Sequence, residues 1–127
     1  MMLASGLALR TRRAVLDWFN ARDDYTAVFT ANATAALKLV GEAYSFTQGS
    51  CALLTFDNHN SVNGIREFAR ARGARIDYAP LTVPELRVDR TRLTALLRVA
   101  DRSHANLLAF PAQSNFTGVK HPLDMVT

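Results

Sequence analysis

Three short stretches hold the residues best suited to chemistry. Thr30-Ala31-Asn32-Ala33-Thr34 follows a predicted strand and opens a predicted helix. Its small side chains let backbone N–H groups approach an anion, and the helix N-terminus adds partial positive charge. The Thr34 hydroxyl offers one further hydrogen bond. Asp57-Asn58-His59-Asn60-Ser61-Val62 leaves the end of another predicted strand. There His59 can stack on a flat ring, donate a hydrogen bond or move a proton. Phe110-Pro111-Ala112-Gln113-Ser114-Asn115-Phe116-Thr117-Gly118 leaves a third strand end, with Gln113 and Asn115 as amide donors and acceptors and Gly118 able to turn the chain. Each stretch alone also reads as an ordinary βα turn, a helix-capping loop or an Asn-rich structural loop. Three on successive strand ends favour a site, because a parallel sheet gathers its strand ends at one edge.

The elements that must position these loops alternate between helix and strand. A first helix is expected from about Leu7 to Asn20, turning Val15, Leu16 and Phe19 toward a core, and Tyr25 to Thr30 reads as a strand. A second helix from near Thr34 carries Leu37, Val40 and Tyr44 at helical spacing. Cys51 to Phe56 is an apolar run without alternation, as in a strand covered on both faces. A helix from Ser61 groups Val62, Ile65, Phe68 and Ala69, with Gly73 as a stop signal. Arg75 to Ala79 is the next strand. Asp89 is the expected N-cap of a helix bearing Leu93, Leu96, Leu97 and Ala100, with Val88 and Leu93 as a hydrophobic staple across it. Asn106 to Phe110 is the last strand, and a further helix begins from Pro122. This order predicts an α/β fold: a three-layer parallel or mostly parallel sheet with helices on both faces.

Composition narrows the function classes. A chain of 127 residues, 49% hydrophobic and 20% charged, is expected to form one soluble globular domain over 1–127. No apolar run reaches the roughly 20 residues of a membrane span, and no secretory signal is read at the N-terminus, so no membrane partner is expected. A lone Cys51 excludes an internal disulfide, offers no metal cluster and suits the cytoplasm. Within its strand it reads as a small hydrophobe rather than a sulfur carrier. The net charge of +4 comes almost wholly from arginine, densest at Arg66, Arg70, Arg72 and Arg75. That group reads as a solvated face near the negative end of a helix dipole. No recognised nucleic-acid module or basic–aromatic stripe accompanies it, so no nucleic-acid partner is expected.

The stretches Tyr25 to Tyr44, Asp57 to Glu67 and Phe110 to Gly118 resemble the corresponding segments of class V aminotransferase-fold proteins. The resemblance is to the branch of molybdenum cofactor sulfurase N-terminal domains, itself similar to cysteine desulfurases, and Pro-Ala-Gln-Ser-Asn-Phe is its most specific run. It implies pyridoxal 5'-phosphate (PLP) as cofactor. Ala33 and Thr34 would cradle the phosphate, His59 would stack on the ring and serve catalysis, and Asn115 would meet the ring hydroxyl oxygen. The family's Schiff-base lysine is not matched: Lys38 and Lys120 are the only lysines and neither lies in that motif. The resemblance therefore implies the N-terminal part of a PLP-dependent large domain, with part of the cradle but no covalent anchor, and little or no turnover alone. A small amino-acid substrate and a homodimer are what the complete family implies. A non-catalytic domain binding a phosphate-bearing ligand or a partner is the rival expectation.

Overall fold

The computed structural model describes residues 2–126, which fall into two compact units divided between Ala31 and Asn32. The first unit holds helix α1, Met2–Trp18. It starts earlier than its periodicity predicts and stops sooner, for a local reason. Asn20 takes a left-handed φ of 50°, while Asn20 N–H donates to Asp17 O (3.1 Å) and Ala21 N–H to Leu16 O (2.9 Å). These are the paired bonds of a Schellman stop, with Asn in the place usually held by Gly. Arg22 forks onto both Asp17 oxygens at 2.5 Å, just beyond that stop.

Two expectations fail in this unit. Residues 25–30 form no strand, and Tyr25, Val28 and Phe29 are exposed. Their β-forming side chains describe a fit to a pleated, half-buried surface, and a strand also needs a hydrogen-bonded neighbour. Phe19 lies beyond the helix and is 73% exposed, and Val15 is exposed as well, so only Leu16 of the expected trio is half-buried.

The second unit is the α/β body. Its strands are β1 (Cys51–Thr55), β2 (Arg75–Ala79) and β3 (Leu107–Ala109), ordered β2-β1-β3 and all parallel. Every residue of β1 is buried, as its unbroken apolar pattern predicts for a central strand. Helices α2 (Ala33–Ala43), α3 (Asn60–Asn63), α4 (Ile65–Ala71) and α5 (Arg90–Arg98) connect and cover the sheet. One face packs Ala52 with Ile65, Ala69, Phe46 and Leu37, from α4, α2 and the segment after α2. The other packs Cys51 and Leu53 with Ala79, Val88 and Leu93 of the α5 region. Alternate residues of β1 thus serve two cores, and the α/β expectation with helices on both faces holds.

Local signals were mostly sound here. Asp89 caps α5 by accepting from Arg92 N–H (3.0 Å), and Val88 and Leu93 meet in one cluster. The helix expected from Ser61 starts at Asn60 and is interrupted at Gly64, which ends α3 and opens α4. Beyond Pro122 the chain forms a 3₁₀ turn, Leu123–Val126, rather than an α-helix. Gly41 in α2 is required by packing: a Cβ there would lie 2.5 Å from the Phe68 ring of α4.

Candidate functional site

Parallel pairing places the loops after β1 and β3 side by side at the carboxyl edge of the sheet, where α/β proteins bind ligands. The N-terminus of α2 is tied to the first of these loops. Asn32 caps α2 by accepting from Ala35 N–H (2.9 Å), leaving the N–H groups of Ala33 and Thr34 in the first turn without an intrahelical acceptor. The Thr34 hydroxyl lies 2.7 Å from the Ser61 hydroxyl, which lies 2.9 Å from His59 Nδ1. Ser61 N–H also donates to Nδ1 (3.2 Å), so His59 is itself the N-cap of α3. An Nδ1 that accepts from a backbone N–H places the neutral ring's proton on Nε2. His59 is exposed, and Nε2 is its remaining polar atom.

Asn115 sits on a tight loop. Gln113 and Lys120 form an antiparallel bridge, His121 N–H donates to Ala112 O (3.0 Å), and Gly118 N–H donates to Ser114 O (2.8 Å). Gly118 has φ 75°, the left-handed region that the turn needs and that a side chain would strain. Gln113 is spent on this loop, its Nε2 donating to Gly118 O at 3.4 Å. A cleft of about 390 Å³ is lined by Phe56, Asp57, His59, Asn63, Asn115 and Phe116, among others. It brings His59 and Asn115 to one opening. Ala33 and Thr34 do not line it, and Thr34 connects to it through Ser61.

Beneath the cleft lies a contact that sequence reasoning missed. Asp57 Oδ2 and His121 Nε2 are 2.6 Å apart, with both side chains fully buried. Ser114, also buried, donates its hydroxyl to Asp57 O (3.3 Å) and accepts from the N–H groups of Phe116 and Thr117. Asn58 donates to Ala109 O (2.8 Å) at the end of β3. Asp57 and Ser114 fall within stretches flagged for chemistry, but nothing in sequence announces a partner 64 residues away.

The cations around the sheet are engaged elsewhere. Lys38 pairs with Glu42 (3.5 Å), and neither lysine lines the cleft. The arginine group is not a bare basic face. Arg70 pairs with Glu67 (2.5 Å) and Arg75 with Asp77 (2.9 Å), while Arg66 reaches Glu67 and the Tyr78 hydroxyl. Arg72 donates to Gly41 O and Glu42 O, covering carbonyls in the last turn of α2.

A family model described as aminotransferase class-V matches residues 3–127. The chain belongs to the class V aminotransferase family. Its similarity to the molybdenum cofactor sulfurase of Arabidopsis thaliana is 41% identity over 141 residues, covering 96% of this chain and 17% of that relative. The molybdenum cofactor sulfurase of Oryza sativa subsp. japonica is 36% identical, over 98% of this chain and 18% of that relative. The chain thus spans less than a fifth of these relatives. The crystal structure of cysteine desulfurase CsdA from Escherichia coli superposes with a TM-score of 0.70 at 26% identity, over 88% of this chain and 28% of that one. The sheet of this class V chain is therefore a part of the fold that PLP-dependent cysteine desulfurases share, as its resemblance implied.

This family implies PLP, and the residues present fit part of it. A helix N-terminus whose Ala33 and Thr34 N–H groups have no intrahelical acceptor, together with a hydroxyl, suits the phosphate. An exposed imidazole and an exposed carboxamide share the adjoining cleft. Among the described residues no helix is long and apolar enough to cross a membrane.

Proposed function

We propose that this chain supplies the phosphate- and ring-binding wall of a PLP site in a molybdenum-cofactor-sulfurase-like protein that removes sulfur from an amino acid such as cysteine. The observation that carries the reading is the hydrogen-bonded series Thr34–Ser61–His59, which couples a helix N-terminus to a cleft shared with Asn115. Ala33 and Thr34 hold the phosphate, His59 faces the ring and moves a proton at Nε2, and Asn115 meets the ring hydroxyl. Bound PLP would supply an electron sink for the substrate carbon. Ser61 orients His59 by occupying Nδ1, so that the ring presents one defined donor. Residues 1–127 are read as part of one PLP-binding large domain, acting in the cytoplasm and as a homodimer when complete.

Neither lysine stands at the cleft, so binding here is non-covalent, which also keeps alive a role in holding a phosphate-bearing ligand without chemistry. Titrating PLP into the chain, followed by its absorbance, tests the reading. Thr34→Val is expected to weaken binding about tenfold, or about 1.4 kcal/mol, with little salt dependence. Neutralising Arg66 and Arg70 should change it less than twofold. Loss of binding on removing the arginines, with Thr34→Val unchanged, defeats the assignment. After borohydride treatment, stoichiometric labelling of Lys38 or Lys120 would defeat the non-covalent mode.

A further inference from the structure

We infer that the buried Asp57–His121 pair is a latch that sets the position of His59 relative to Asn115, which makes His121 a positioning residue for the ligand. The inference rests on the reading of those two residues as ligand contacts. Asp57 stands two residues before His59 on the loop after β1. His121 closes the base of the loop whose turn carries Asn115, through its own N–H bond to Ala112 O. The two side chains join at 2.6 Å with no solvent access. The carboxylate accepts, so Nε2 of His121 carries the proton. Ser114 grips the Asp57 carbonyl from the same loop, and Asn58 grips Ala109 O. The dipeptide Asp57–Asn58 is therefore held both by the last residue of β3 and by the segment that follows it.

Stability alone does not account for the pair. A buried ionisable pair must overcome the desolvation of both groups, and apolar residues of similar volume often serve the fold as well. This pair is also half-satisfied: Asp57 Oδ1 and His121 Nδ1 are buried and find no hydrogen-bond partner among the described residues. What a directional bond supplies and an apolar contact does not is a set distance and angle between two loops. Both loops end in an exposed side chain on one cleft, so any error in their register reaches the ligand directly.

The test uses the whole chain and three proteins: wild type, His121→Gln and the double variant Asp57→Val/His121→Leu. Glutamine keeps an N–H donor near the place of Nε2, and the double variant replaces the pair by apolar volume, which guards against simple unfolding. The first readout needs no ligand. Relaxation-dispersion NMR should show new microsecond–millisecond exchange at residues 57–61 and 113–118 in the double variant, but not in His121→Gln. The second is the Kd for PLP, expected to rise at least tenfold in the double variant and less than threefold in His121→Gln. A folded double variant with quiet loops and wild-type affinity overturns the latch, because packing alone then holds the loops. Exchange that appears equally in His121→Gln also overturns it. If the wild type shows no response of His59 and Asn115 to PLP, the functional reading fails, while the ligand-free exchange still decides the latch.

Discussion

The two ends of the parallel sheet treat polar groups in opposite ways. At the amino end, Asn106 Oδ1 accepts from Cys51 N–H (2.7 Å), and its Nδ2 donates to Asp101 O and His104 O. Ser50 accepts from Thr47 N–H, Tyr44 donates to Asn106 O, and Arg75 pairs with Asp77. At the carboxyl end stand Thr55, Asp57, Asn58, Asn63 and His121, which own all five of the buried side-chain polar atoms left without a partner among the described residues. Folded proteins leave few such atoms, and they gather where the structure serves something other than its own stability. One end closes the fold. The other is where we propose that a ligand binds.

That contrast is broken most directly at Asn106. Asn106→Ala removes three hydrogen bonds and leaves the Cys51 N–H buried without an acceptor. The expected loss is about 2–4 kcal/mol, read from urea unfolding, with no change in PLP affinity beyond what unfolding explains. A loss below about 0.5 kcal/mol would mean that the amino end is no more structural than the other.

His59→Ala sharpens the same contrast from the opposite side. The ring is exposed and caps only the four-residue α3, so stability should fall by no more than about 1 kcal/mol. The PLP spectrum, by contrast, should change clearly. In a longer homologue carrying the anchoring lysine, turnover should drop by roughly 10²–10⁴, the usual value of lost acid–base assistance. A large stability loss with an unchanged spectrum would move His59 to the structural side.

The sequence was most legible where local chemistry decides the outcome. Asp89 before an apolar helical stripe specifies a cap and staple through residues at most five apart, and both are present. The uninterrupted apolar run of β1 announces burial on both faces, because a central parallel strand has no polar side. Placing His59 and Asn115 on loops at one edge followed from strand order, whereas Thr34 opens the expected helix but follows no strand. Tyr25 to Thr30 carries strand-like residues, but no neighbouring strand pairs with it, and pairing is not a local property. The Arg72 cap on α2 and the Asp57–His121 contact join residues 30 and 64 apart. Such links become visible only when the fold brings helices and loops together. Gly64 carries a weaker signal, since glycine inside a helical pattern favours the interruption seen between α3 and α4.

The smallest expected effect concerns Cys51, at the amino end. Its thiol is buried in β1, 3.5 Å from Asp77 Oδ2 and 3.8 Å from an Arg75 nitrogen. Burial pushes its pKa above the ordinary 9.0, and the nearby Arg75 only partly opposes that. Well below pH 9 the thiol is protonated in both folded and unfolded chains, so it contributes no pH dependence there. As pH rises past 9, the unfolded thiol ionises first while the folded one keeps its proton. Stability should then fall, by less than about 1.4 kcal/mol per pH unit for a single group. Tyr44, whose pKa burial also raises above 10.0, adds a similar slope only at higher pH. Urea midpoints at about pH 8 and pH 9.5 should therefore converge between wild type and Cys51→Ala, because only the wild type carries the thiol's slope. Thiol labelling at neutral pH should be slow and limited by unfolding, as expected for a thiol that is neither exposed nor activated. Parallel pH slopes in the two proteins, or rapid labelling of the folded chain, would show that Cys51 is available for reaction. The amino end would then hold reactive chemistry of its own, and the division of labour between the two ends of the sheet would no longer stand.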